Sequence, residues 1–133
     1  MKPYTNSNDV LHDPVALQAR AARDGYLYFP GLVDIDALWA LRRRFEEILA
    51  RHGWIDTGTD PSDLITTKDA VIEGMDEFIP VMEDFQRMEE FHAFAHDPGI
   101  VGMLGRLFDD TVLVHPRNIG RIVFPTTPTT PPH

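Results

Sequence analysis

Residues 115–125 read His115-Pro116-Arg117-Asn118-Ile119-Gly120-Arg121-Ile122-Val123-Phe124-Pro125, and whether this run pairs into a sheet decides the fold. Ile119, Ile122, Val123 and Phe124 suit a pleated, half-buried surface, and a proline bounds the run at each end. A strand is predicted over 118–124, and Thr111, Val112, Leu113 and Val114 predict another over 111–115. Successive side chains on a strand alternate between faces, so Arg117, Ile119, Arg121 and Val123 share one face while Asn118, Gly120 and Ile122 take the other. The first face therefore carries two guanidinium groups, whose fork of donors suits a carboxylate. Pairing of the same arginines with Asp109, Asp110 or glutamates on the surface is the plainer use of them. His115 reads as a buried, hydrogen-bonded strand histidine.

After this run the chain continues Pro125-Thr126-Thr127-Pro128-Thr129-Thr130-Pro131-Pro132-His133. Proline lacks the backbone donor, so this tail cannot enter a central strand or a helix interior. Its prolines have the spacing that a polyproline II helix presents to aromatic grooves, but no lysine or arginine flanks them closely to fix a direction. A stable sheet usually needs three or more strands, and the two closing runs supply few of them. The pattern reads as unfinished.

Working back toward the N-terminus, the periodicity turns helical. Asp97-Pro98 is an N-cap followed by proline, and Ile100, Val101, Leu104, Leu107 and Phe108 make a short apolar helix closing at Asp109-Asp110. Val81, Met82, Phe85, Met88, Phe91, Phe94 and Ala95 predict one long helix over 80–96, with Pro80 at its start. Gly58, Pro61 and several hydroxyls and acids predict a mobile loop over 56–62. Asp34 is placed to cap a long helix over 35–52, whose apolar residues Leu38, Leu41, Phe45, Ile48 and Leu49 recur at three and four, with Gly53 to end it. The pairs Arg42/Glu46 and Arg43/Glu47 on its outer face add about 0.2–0.5 kcal/mol each, and Arg42-Arg43-Arg44 reads as a solvated face. Tyr26-Leu27-Tyr28-Phe29 predicts a strand between Gly25 and Pro30-Gly31. Before it, Asp13-Pro14 opens a short helix reaching about Arg23, and residues 1–12 are polar enough to form a flexible arm.

A length of 133 residues suits one domain, or one piece of a larger one, so residues 13–133 are taken as a single unit. The start lacks the apolar stretch of a secretory signal and no run nears the ~20 apolar residues of a spanning helix, which points to a soluble, cytoplasmic protein without a membrane partner. A net charge of -9 repels phosphate backbones and argues against nucleic acid. With no cysteine, any metal must be held by His, Asp or Glu. Glu89, His92 and His96 lie at helical spacing, yet a di-iron bundle needs a second Glu-x-x-His and further glutamates that the sequence lacks. The zinc-protease pattern also fails, for want of a glutamate beside His92. These three read as ordinary helix residues.

The run Arg23-Asp24-Gly25-Tyr26-Leu27-Tyr28-Phe29-Pro30-Gly31-Leu32-Val33, the capped helix after it, Leu104-Gly105-Arg106-Leu107-Phe108 and the closing pair of runs before Pro131-Pro132-His133 resemble the N-terminal half of the phytanoyl-CoA dioxygenase family. The resemblance covers nearly all of the chain beyond residue 13. It implies an iron(II)- and 2-oxoglutarate-dependent oxygenase built on a double-stranded β-helix, an α+β fold with N-terminal helices packed on the first strands of a jelly roll. By position, His133 is similar to the first histidine of that family's His-x-Asp metal motif. Two histidines and one carboxylate leave open positions on iron, where 2-oxoglutarate and then dioxygen bind. Arg117 or Arg121 would then contact 2-oxoglutarate or the small-molecule substrate. The acidic ligand and second histidine do not occur among these 133 residues, so the chain alone is expected to be catalytically silent, the N-terminal part of an enzyme that hydroxylates a small organic substrate. A non-catalytic helical interaction module with an exposed Pro/Thr tail is the alternative expectation.

Overall fold

The computed structural model describes residues 3–124. About half of these are helical, in five α-helices: α1 (Pro14–Asp24), α2 (Ile35–Arg51), α3 (Phe78–Gln86), α4 (Glu89–Phe94) and α5 (Pro98–Phe108). Single 3-10 turns form at Asn8–Val10 and Pro61–Asp63. Among the described residues no helix is long and apolar enough to cross a membrane. The contacts group into two compact units. One runs to Ile35 and resumes over Ala93–Pro116; the other holds Asp36–His92 and the stretch from Arg117.

In the first unit both proline-led helices start as the sequence dictates. Asp13 accepts a hydrogen bond from the Ala16 N–H at 3.0 Å and Asp97 accepts from Gly99 and Ile100 at 2.8 and 3.2 Å, each satisfying donors that the first helical turn leaves orphaned. Gly25, at φ 73°, closes α1, and Asp109, at φ 52°, closes α5 in the same left-handed conformation. Leu17 is fully buried, and Gln18 on α1 donates to the Leu107 carbonyl at the end of α5. The polar start is anchored here too. Ser7 is 1% exposed and donates its N–H to the Tyr28 carbonyl at 2.8 Å, while its hydroxyl accepts from the Tyr28 N–H. Arg20 clasps Asp9 through its two terminal guanidinium nitrogens, and Tyr4 packs on the rings of Tyr26 and Tyr28.

The second unit is built on α2, α3 and the first turn of α4. Leu41 and Ile48 from α2 and Val81 and Phe85 from α3 are buried, each contributing about 1.5–3 kcal/mol of transfer free energy. Phe45 meets Phe85 and Phe91 edge-on at 4.7 and 6.0 Å. Trp54, 2% exposed, lies between Phe78 and Phe124. Residues 54–67 close on themselves through an isolated antiparallel bridge between Ile55 and Thr66, with Asp56 N–H donating to the Ile65 carbonyl.

Three expectations are corrected. The α+β fold with the first strands of a jelly roll is overturned, since the described residues hold no strand and no sheet. Residues 26–29 and 111–124 are extended, but no strand ladder forms along either. Ser7 takes the backbone groups of Tyr28, and a side chain of α3 takes a carbonyl of the 118–124 run. His115, lacking a strand to bury it, is exposed. The single helix over 80–96 is two helices. His92 Nε2 donates to the Gln86 carbonyl at 2.8 Å, the acceptor that a continuous helix would offer to the Glu90 N–H, and Met88 makes a tight turn onto Phe85 instead. The first helix also begins two residues before Pro80. The N–H groups of a helix's first turn have no partner within it, so proline is tolerated at its third position.

Candidate functional site

Within the second unit a groove of about 820 Å³ runs beside the extended stretch 117–123. Its size falls in the range of small-molecule sites, about 300–1,000 Å³. Phe78, Met82 and Gln86 of α3 line it together with Val71, Ile72 and Glu73. Arg117 and Arg121 both line it.

The extended stretch is held by its even-numbered residues. The Asn118 side chain donates to the Phe91 carbonyl at 3.3 Å, and the Gln86 side chain donates to the Asn118 carbonyl at 2.9 Å. Gly120 lies against Phe91 and Met82 so closely that a Cβ would sit 3.4 Å from the Phe91 ring. Phe124 is buried with its ring 5.4 Å from Trp54. Burial therefore alternates with period two although no neighbouring strand is paired. Asn118, Gly120, Ile122 and Phe124 face inward, while Arg117, Ile119, Arg121 and Val123 are exposed. The structure thus brings Arg117 and Arg121 to one groove, on the face that the alternation predicts. The groove's lining combines the apolar residues Phe78, Met82 and Val71 with the charged residues Arg117, Arg121 and Glu73.

A second charged cluster ties the C-terminal end of α2 to α3. His52 Nε2 lies 2.9 Å from Asp84, with Arg51 at 3.3 Å and Arg87 at 3.6 Å. The hydrogen bond from His52, then its charge and those of Arg51 and Arg87, hold the Asp84 carboxyl below the usual carboxylate range. The cluster fastens the end of α2 to α3. On α2, Arg42 pairs with Glu46 at 2.8 Å as expected, whereas Glu47 is taken by Arg44 rather than Arg43. Arg42 also stacks over Trp39 and donates to the Ser62 carbonyl, so the arginine run does more than face solvent.

Among the described residues no three His, Asp or Glu side chains converge as a metal site. Glu89, His92 and His96 do not gather. His92 is spent on the Gln86 carbonyl. These residues do not by themselves fit an iron ion, and His133, like the proline-rich tail before it, lies outside the described residues. Sequence reasoning missed Phe78, which the proline-start rule left outside its helix, and the tilted ring contact of Trp54 with Phe124. Phe78 could have been found from its spacing to Met82 and Phe85, which continues the apolar stripe by one turn. Comparison of the chain with protein-family models, curated proteins and solved structures finds no match in any of the three.

Proposed function

We propose that this chain is the N-terminal portion of an iron(II)- and 2-oxoglutarate-dependent dioxygenase that oxidises a small organic substrate. In this reading Arg117 and Arg121 serve as carboxylate contacts and His133 as one iron ligand. The observation that carries it is the 117–124 stretch. Its inward residues are pinned to α3 and α4, while its outward face offers Arg117 and Arg121 beside a ligand-sized groove, directly before the residues that resemble an oxygenase metal motif. Within the second unit Ile119 is 78% and Val123 58% exposed, which suits a face that further residues of a larger protein would cover. Iron, when bound, would supply dioxygen activation coupled to oxidative decarboxylation of 2-oxoglutarate. The residues of this chain bind and orient anionic groups and shelter an apolar body from water. A cytoplasmic setting and the exclusion of nucleic acid by a net charge of -9 belong to the same proposal.

The second reading, a non-catalytic helical binding module, is favoured by the wholly helical character of the described regular structure. Turnover separates the two. The protein that carries this chain should consume 2-oxoglutarate when given iron(II) and dioxygen, whereas a binding module would neither consume it nor take up iron.

A further inference from the structure

We infer that the exposed face of residues 72–82 is a docking surface for a basic amphipathic helix of a partner protein. The inference stands apart from the dioxygenase reading, since it needs neither iron nor the arginines of the 117–123 stretch. This segment commits Val71 and Phe78 to the core of the second unit, where both are buried. Three more apolar side chains are surplus to that core. Ile72, Met75 and Ile79 are 42%, 43% and 50% exposed. Local hydrogen bonds gather them. The Ile72 N–H donates to the Met75 sulfur at 3.3 Å, and the Met75 N–H donates to the Ile72 carbonyl at 3.2 Å. The Phe78 N–H then donates to the Met75 carbonyl at 2.9 Å and joins this turn to the start of α3. Met75, Ile79 and the half-buried Met82 recur at four and three, an outer apolar stripe beside the buried stripe of Phe78, Val81 and Phe85.

Charge decides what would cover this stripe. Residues 56–77 carry seven aspartates and glutamates against one lysine, so a sixth of the chain holds two thirds of its net charge of -9. Lys68 is already paired with Glu77 at 2.6 Å. Glu73 and Asp76, interleaved with Ile72, Met75 and Ile79, are exposed and make no ion pair among the described residues. An apolar stripe edged by unpaired carboxylates complements a helix whose apolar face is bordered by Lys or Arg, with anchors three and four residues apart. The same carboxylates repel the phosphates of nucleic acid and of anionic lipid. Methionine, unbranched and polarisable, adapts to the side chains of such a partner.

The test follows the fluorescence anisotropy of a labelled leucine–lysine peptide of about 18 residues, its leucines at helical spacing, as the protein is added. One comparison peptide has the same composition in scrambled order, and another has glutamate in place of every lysine. The expected result is saturable binding of the amphipathic basic peptide, weakened by salt, with both comparison peptides bound about tenfold more weakly or worse. Glu73→Gln combined with Asp76→Asn should weaken that binding about tenfold, and so should Met75→Gln combined with Ile79→Gln. All four residues are exposed, so the circular dichroism spectrum should be preserved. Asp109→Asn combined with Asp110→Asn removes the same charge from the first unit and should leave the affinity within about twofold. Equal binding of the scrambled or the glutamate peptide, an equal loss in the Asp109/Asp110 variant, unaltered affinity in either variant of the 72–79 face, or no saturable binding would each overturn the inference. The peptide comparison uses the parent protein and needs no variant to fold. Iron, 2-oxoglutarate and turnover enter none of these measurements, so the dioxygenase reading stands or falls on its own assay.

Discussion

Substituting the three glycines of α5 one at a time by alanine separates helix propensity from packing inside a single element. In an open helix position Gly→Ala gains about 0.5–1 kcal/mol, because glycine loses more backbone freedom on folding. At Gly105 the nearest atom to an added Cβ is the Asp110 carbonyl at 3.5 Å, and at Gly102 it is the Arg106 guanidinium, also at 3.5 Å. Both are ordinary contacts, so both variants should gain that amount. At Gly99 the Cβ would lie 2.4 Å from the Leu32 carbonyl oxygen and 2.9 Å from the Asp97 carboxylate. A relaxed carbon–oxygen contact is about 3.3 Å, so the backbone at Leu32 must retreat by about 0.9 Å. Overpacking of this kind costs about 1–3 kcal/mol. Displacing the Asp97 side chain forfeits an N-cap worth about 1 kcal/mol. With the propensity gain subtracted, Gly99→Ala should be destabilised by about 2 kcal/mol. Urea unfolding followed by far-ultraviolet circular dichroism measures this as a lower midpoint at unchanged slope. A Gly99→Ala protein as stable as the parent, or a Gly105→Ala protein destabilised to the same degree, would refute the close approach of α5 to Leu32.

The His52–Asp84 pair makes stability depend on pH with a definite sign. A carboxylate whose folded pKa is depressed contributes stability above its unfolded pKa of about 3.9 and loses it as pH falls through the folded value. Removal of the hydrogen bond in His52→Ala raises the Asp84 pKa, so the acid unfolding midpoint should move to higher pH; an unmoved midpoint would contradict the pairing. Phe124→Ala removes a buried ring packed at a tilt against Trp54 and should cost about 3 kcal/mol, the low end for buried phenylalanine because its neighbour Val123 is exposed. The same variant in a Trp39→Phe background should red-shift Trp54 emission as water reaches the indole. Unchanged emission would show that the extended stretch is not pinned there.

The helices were legible because their signals are local. Asp13-Pro14 and Asp97-Pro98 fix two starts with a side-chain acceptor and a residue that needs no donor, and the three-and-four spacing of Leu41, Phe45 and Ile48 fixes α2. The break between α3 and α4 was not legible, because it depends on a histidine reaching six residues back to one carbonyl. The strands failed for a related reason. β-branched and aromatic residues state that a stretch suits a pleated surface, but not that a partner is available to complete a ladder. Alternation survived where pairing did not, since Asn118, Gly120 and Phe124 still turn inward against α3, α4 and Trp54. The shared exposure of Arg117 and Arg121 was therefore legible through a strand reading that was itself wrong. The groove itself was invisible for want of any rule that brings residues 71–73 into one lining with Phe78.

The central claim is that this chain gives an oxygenase its first metal ligand, and its most direct test is carbon dioxide release from 2-oxoglutarate. The protein carrying this chain, supplied with iron(II) and dioxygen, should release it in an iron-dependent manner, and His133→Ala should abolish both the release and the iron uptake while leaving the helical spectrum intact. Release that persists undiminished in His133→Ala, or no release and no iron uptake by the parent protein, would contradict the account.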